Sequence, residues 1–289
     1  MPAAMRQNKQ VLLIASLTLA AVLAGGLLVA AAVVYGGLYN VASTSQHLQP
    51  THSLLEVAMR QSVRLRARNV ETPPLTDELT VLRGAACFRD KCVQCHGAPG
   101  VAQNDIGKSM QPLPGPLVDA APRFRPRELY WVIREGIKMS GMPAWEYRLT
   151  DGELWSVVAF LQRLPELNAP QYAALVAKSP PAPACGRELQ MAAVPAPADP
   201  KRGAQAVHQY ACSACHTIPG ITSSFPQVGP PLAGIAGRAL IAGVLANSQQ
   251  NMERWLRETQ QVKPGTAMPQ LGVAPQDARD IAAYLATLH

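Results

Sequence analysis

Two pentapeptides constrain this chain more than any other feature: Cys92-Val93-Gln94-Cys95-His96 and Cys212-Ser213-Ala214-Cys215-His216. Each places two thiols two residues apart with an imidazole immediately after. That spacing lets both sulfurs reach the two vinyl groups of one porphyrin as thioethers while the next side chain lies beneath the iron, which is the attachment pattern of c-type haem. A single C-x-x-C also occurs in redox disulfides and half zinc sites. A thioredoxin-like motif needs a βαβ pattern, which this sequence lacks. A four-thiolate zinc site would have to join cysteine pairs more than 100 residues apart across a proline-rich stretch, far from ordinary finger spacing. The reading is therefore two covalently bound haem c groups, with Cys92, Cys95, Cys212 and Cys215 as attachment points and His96 and His216 as iron ligands.

Each pentapeptide sits inside the same larger unit. Arg83-Gly84-Ala85 precedes the first and Arg202-Gly203-Ala204 the second. After each comes a Gly-Pro loop (Gly115-Pro116-Leu117; Gly229-Pro230-Pro231-Leu232), a helix rich in charge, a Met-Pro dipeptide (Met142-Pro143; Met268-Pro269) and a closing helix. This is an internal repeat of about 90 residues, so one fold is used twice. Short helices between Pro/Gly loops, with no alternating strand pattern, make the expected class all-α. Helix starts are visible at Asp199-Pro200, an N-cap before an N1 proline, and at Thr150-Asp151-Gly152-Glu153, a capping box.

The proximal histidine leaves one iron position open, and a thioether there raises the potential and closes the iron to small ligands. Met268 sits on a proline-flanked loop 52 residues after His216. Met142 is the matching residue, 46 residues after His96 and also followed by proline; Met139 and Met110 are its competitors. Met252, at helical spacing with Trp255 and Leu256, reads as core.

Val11 to Leu38 contains no charged side chain, and at about 1.5 Å per helical residue it exceeds the ~30 Å hydrocarbon thickness. It is too long for the usual signal-peptide core, so an uncleaved anchor is expected. Arg6 and Lys9 before it place the N-terminus in the cytoplasm and the rest outside. The formal charge is +7, and residues 1–75 carry six Lys/Arg against two acids, so four of the seven excess charges precede the repeats. No basic stripe interleaved with aromatics follows, which excludes nucleic acid as a partner. Thr51 to Arg68 reads as a helix with Leu54, Leu55, Ala58 and Leu65 on one side and Arg60, Arg64 and Arg68 on another. It fits a membrane-surface or docking helix, and equally a solvated spacer.

The expected organisation is thus a membrane anchor (1–40), a basic juxtamembrane helix (41–75), a first module (76–167), a Pro/Ala-rich extended spacer (168–198) and a second module (199–289).

Both modules resemble class I cytochrome c domains, and the pair resembles membrane-anchored di-haem cytochrome c subunits of bacterial respiratory chains. The resemblance implies that the helix before C-x-x-C-H crosses the last helix through a glycine and aromatic contact. Gly84 and Phe88 would meet Trp155 and Phe160; Gly203 and Tyr210 would meet Tyr284. It implies that the carbonyls of Pro116 and Pro230 hold the second nitrogen of the haem histidines, and that Arg238 pairs with a haem propionate. It also implies an electron carrier on the periplasmic face of the inner membrane of a Gram-negative-type bacterium. There it would pass electrons from a respiratory donor to a terminal oxidase or similar acceptor, with no catalysis of its own. A di-haem peroxidase is the alternative, but it would want one module without a methionine, and both have one. Cys87 and Cys185 remain: spare thiols on the oxidising side tend to pair, yet buried free cysteine is common.

Overall fold

The computed structural model describes residues 3–186, 196–222 and 228–289. α1 (Ala3–Tyr35) contains an unbroken 28-residue stretch, Asn8–Tyr35, long and apolar enough to cross a bilayer. Among the described residues its leucines and all its valines but Val33 are exposed, as expected of a helix whose solvent is hydrocarbon.

α2 (Gln49–Ala67) is the expected juxtamembrane helix, but it packs differently from the reading above. Leu54, Leu55 and Leu65 stay exposed, whereas Val63 and Ala67 are buried. The helix packs against α7 (Pro126–Glu135). Arg127 donates from Nη1 to the carbonyl of Arg68 at 3.2 Å, and the Arg60 guanidinium lies 5.9 Å from the Phe124 ring centre. The C-terminal half of the helix is therefore part of the first module's wall.

That module is built on α3 (Glu78–Lys91) crossing α8 (Asp151–Arg163). Asp77 caps α3 by accepting from Thr80 N–H at 2.8 Å. α8 begins with the capping box anticipated from sequence, Thr150 N–H donating to Glu153 at 2.7 Å and Glu153 N–H donating to Thr150 Oγ1 at 3.3 Å. The helices touch at Gly84, where a Cβ would lie 1.9 Å from the Ser156 carbonyl oxygen and 2.9 Å from Phe160 Cβ. Phe88 and Phe160 pack with ring centres 4.9 Å apart. Trp155, expected at this crossing, faces the other way and stacks on Tyr130 at 4.2 Å. It is one position from Ser156 on the helix, a turn of about 100°, which carries its side chain off the crossing.

The second module repeats the plan with α10 (Pro200–Gln209) and α13 (Pro275–Leu285). Asp199 caps α10 ahead of Pro200. A Cβ on Gly203 would lie 1.9 Å from the Asp280 carbonyl oxygen and 2.8 Å from Tyr284 Cβ, close to the distances at Gly84. Tyr210 is held through its hydroxyl, which donates to Asp277 at 2.7 Å. α11 (Gln249–Arg257) packs against α13 and buries Met252, Trp255 and Leu256 in the core.

Two findings depart from the sequence reading. Residues 168–198 are not wholly extended: α9 (Ala169–Lys178) is a capped helix that buries Tyr172 against the first core. Residues 187–195 of that stretch lie outside the described residues. A short antiparallel ladder, Leu240–Ile241 with Leu245–Ala246, closes through Ala242 and Gly243 at φ 52° and 77°. Positive φ at both central positions is the primed turn that suits a tight hairpin.

Candidate haem-binding sites

Both pentapeptides fold into the same turn. In the first, α3 ends at Lys91 and α4 (Val93–His96) follows directly; Cys95 N–H and His96 N–H both donate to the Cys92 carbonyl, at 3.1 and 2.9 Å. In the second, Cys215 N–H and His216 N–H donate to the Cys212 carbonyl at the same 3.1 and 2.9 Å. The chain enters this second turn through Ala211 in the left-handed region, φ 52°. One helical turn thus puts two sulfurs and the imidazole in one neighbourhood. Burial pushes the Cys92 thiol up to about 12 and the Cys212 thiol up to about 11. Near neutral pH these sulfurs are thiols, the form that adds across a vinyl group, rather than thiolates poised to hold a metal.

The histidines are oriented by the backbone. His96 Nδ1 lies 2.8 Å from the Gly115 carbonyl oxygen, and His216 Nδ1 lies 2.8 Å from that of Pro230. A carbonyl oxygen only accepts, so Nδ1 carries the proton and Nε2 presents its lone pair to a metal. Burial holds His96 below the usual imidazole range, against a smaller upward pull from the Gly115 bond. The neutral form is therefore the one set in place.

Pro230 takes the role expected of it, and Pro116 does not: the first acceptor is Gly115. The two loops match when counted from Leu117 and Leu232 rather than from their leading glycines. The acceptor lies two residues before each leucine and immediately before a proline, Pro116 in one loop and Pro231 in the other. A residue preceding proline is confined to extended backbone, which aims its carbonyl.

The loops pack directly against these turns. A Cβ on Gly229 would fall 2.4–2.9 Å from three atoms of the His216 ring, and one on Gly107 would fall 2.9 Å from Cys95 Cα. Gln103, which nothing in the sequence singled out, donates to the Cys95 carbonyl at 2.7 Å and to the Pro114 carbonyl at 2.5 Å. In the second module the Cys215 carbonyl is satisfied instead by Gly229 N–H at 2.8 Å.

The two Met-Pro loops share a local bond. Met142 N–H donates to Ser140 Oγ at 3.2 Å and Met268 N–H to Thr266 Oγ1 at 3.5 Å, each two residues back. Both side chains are half-buried against their own module's core. Gln260 pins the second loop by donating to the Met268 and Thr266 carbonyls at 2.8 and 3.0 Å. Among the competitors, Met139 is wholly exposed, whereas Met110 lies with its sulfur against Gly141, where a Cβ would come within 2.4 Å of it. Met110 is thus the nearer rival to Met142.

Arg238 donates through Nη2 to the carbonyls of Pro231 and Ala233, on the loop that carries the His216 acceptor. The modules approach each other at Arg148, whose guanidinium carbon lies 5.3 Å from the Tyr210 ring centre. Arg148 follows Met142 by six residues, and Tyr210 precedes Cys212 by two.

Residues 80–161 match the family described as cytochrome c oxidase, cbb3-type, subunit III, and residues 200–289 match the family described as cytochrome c. The chain is also similar to cytochrome c oxidase subunit 2 of Alkalihalophilus pseudofirmus, at 32% identity over 88 residues, 30% of this chain and 25% of that protein. With cytochrome c oxidase subunit 2 of Bacillus sp. strain PS3 it shares 32% identity over 118 residues, 38% of this chain and 33% of that protein. The alignments thus span between a quarter and a third of these relatives.

Proposed function

The chain belongs to the cytochrome c family and carries two such domains in tandem, and on that premise we propose that it is a membrane-anchored di-haem electron relay. In this reading residues 76–167 and 199–289 each hold one covalent haem c. Cys92 and Cys95 would attach the first haem and Cys212 and Cys215 the second. His96 with Met142 and His216 with Met268 would hold the two irons, and Arg238 would pair with a propionate of the second haem. The observation that carries this is the duplicated geometry: the same pair of bonds to the first cysteine's carbonyl, a 2.8 Å bond from each Nδ1 to a backbone carbonyl, and a hydroxyl-braced methionine loop in both modules.

Haem c, when bound, supplies the one-electron couple. The protein's part is to hold both axial side chains still. Nδ1 of each histidine is committed to a carbonyl, which fixes ring orientation and strengthens Nε2 as a donor. The hydroxyl bonds of Ser140 and Thr266 keep the methionine backbones in place. A methionine held to each iron would keep peroxide away from it, which favours a carrier over a peroxidase. The Arg148–Tyr210 contact sets Arg148, six residues after Met142, against Tyr210, two residues before Cys212. We place the modules on the periplasmic face of the inner membrane of a Gram-negative-type bacterium. α1 is the anchor, 41–75 the juxtamembrane segment and 168–198 the connection between modules. The donor is a respiratory redox protein and the acceptor a terminal oxidase or similar complex, in keeping with the oxidase subunits that the chain resembles.

Intact-mass analysis of the membrane-extracted protein is the test, with two haem masses expected on the wild type and one on a Cys212→Ala/Cys215→Ala variant. The reduced protein is expected to bind carbon monoxide slowly or not at all. A wild type carrying one haem, or rapid stoichiometric carbon monoxide binding with substantial peroxide turnover, would overturn the reading.

A further inference from the structure

Two cysteines outside the pentapeptides meet in the interior of the first module. Cys87 lies on the buried face of α3 at 1% exposure, and Cys185, 98 positions later, is 3% exposed. Their sulfurs and a carboxylate oxygen of Glu153 all lie within 4.8 Å of one another.

The meeting is held from several sides. α9 packs across α3, and the chain then doubles back as a strap over residues 179–186. Arg89 Nη1 donates to the Pro180 carbonyl at 3.1 Å, and Ala184 N–H donates to Asp90 Oδ2 at 2.8 Å. Gly186 N–H donates to Glu153 Oε1 at 2.9 Å. Those three anchors bracket Cys185, and two of them sit on α3 within three residues of Cys87. Backbone donors on both sides of Cys185, each spent on a partly buried carboxylate, hold that residue in place.

We propose that Cys87 and Cys185 are joined by a disulfide that closes the strap onto α3 and α8. The inference rests on the outward placement proposed above, because the oxidising side of the membrane supplies the electron acceptor. The acceptor is a disulfide-bearing thiol oxidoreductase. Its S–S bond breaks, the Cys87–Cys185 S–S bond forms, and two electrons and two protons pass to it, so that it leaves as a dithiol. In the closed strap the Cys87 thiol is held far above the usual range by its hydrogen bond with Cys185 and by burial. Thiolate, the attacking species, is therefore scarce once the strap is down, so exchange belongs to the stage before closure. The finished bond is sealed from reductants. Pairing also removes a spare thiol five residues from Cys92, where a stray sulfur would compete for attachment.

A metal held by Cys87, Cys185 and Glu153 is the rival occupant. Glu153 argues against it: Oε2 accepts from Thr150 N–H and Oγ1 at 2.7 and 3.0 Å, and Oε1 accepts from Gly186. A metal would have to take the carboxylate from a helix cap and from the strap together.

The test is differential alkylation of the full-length protein. Cells are lysed in denaturant with N-ethylmaleimide, the protein is reduced and treated with iodoacetamide, and both labels and the haem-bearing peptides are mapped by mass spectrometry. The expected result is a linked peptide pair containing Cys87 and Cys185 before reduction. Neither cysteine carries the first label, and both carry the second. In Cys185→Ser, Cys87 should take the first label while haem content is unchanged. Should the first label appear on both cysteines of the wild type while haem sits on both pentapeptides, the disulfide is refuted and the relay reading stands. Free thiols together with bare pentapeptides sink both. Free thiols with one zinc per chain in the native protein hand the site to a metal.

Discussion

The Gly203 crossing offers a sharp test of how the modules are held. In Gly203→Ala the new methyl would sit 1.9 Å from the Asp280 carbonyl oxygen and 2.8 Å from Tyr284 Cβ. Ordinary contact is about 3.5 Å, so α10 and α13 must separate by more than an ångström where they touch. Neither neighbour can yield cheaply, since one is backbone and the other a Cβ. The same opening loosens Val207, Ile281 and Ala282, all 2% exposed or less. Overpacking of this kind costs about 1–3 kcal/mol and occasionally more, and backbone crowding places Gly203→Ala at the top of that range. For a module of this size each kcal/mol moves the midpoint by roughly 4–8 °C, so a fall of about 12–24 °C in the second module's transition is expected. Gly152→Ala is the matched control. It lies near the start of α8 with nothing within 4 Å of its would-be Cβ, and should stabilise by about 0.5–1 kcal/mol. Calorimetry of the membrane-extracted protein resolves both. A Gly203→Ala midpoint within a few degrees of wild type would refute the close crossing as the core of the module.

Further outcomes follow from individual contacts. Arg202 grips the buried Asp280 carboxylate with two bonds, at 2.7 and 2.9 Å. Arg202→Ala should cost the second module about 2–4 kcal/mol in chemical denaturation, toward the low side for a buried pair because the guanidinium is itself partly exposed. Burial, and then the bond to Asp151, pushes the Tyr130 phenol up to about 12. The unfolded phenol ionises near 10, so this contribution to the first module is complete below pH 10 and disappears as pH rises toward 12. Tyr130→Phe should flatten that alkaline slope in unfolding experiments. Gly229→Ala should push the His216 ring off the Pro230 carbonyl. Losing a bond worth about 0.5–1.5 kcal/mol should raise one potential by roughly 20–60 mV in a redox titration and leave the other in place.

Much of the site was legible because its parts are local. The capping box at Thr150 and the N-cap at Asp199 each span five residues or fewer, and both fold as expected. The Met-Pro loops are recognisable through their proline, and the hydroxyls of Ser140 and Thr266, two residues earlier, are a second signal. What failed depended on register or on distant partners. Alignment on the leading glycine pairs Pro116 with Pro230, whereas the extra proline of the second loop shifts the correspondence by one. Sequence alone points Trp155 to the helix crossing, whereas a single step around α8 turns it to Tyr130. Residues 168–178 looked like spacer because Ala and Pro dominate, whereas Tyr172 finds a place in a core that no nearby residue reveals. Gln103 acts through two carbonyls that lie 8 and 11 positions away, and an isolated glutamine carries no mark of that.

The carbonyls that orient His96 and His216 come from a glycine in one module and a proline in the other, because the group employed is backbone and the side chain is immaterial. Substitution scanning would accordingly find Gly115 and Pro230 permissive and their successors, Pro116 and Pro231, intolerant. The positions that do the work would look dispensable, and the requirement would surface one residue later in the chain.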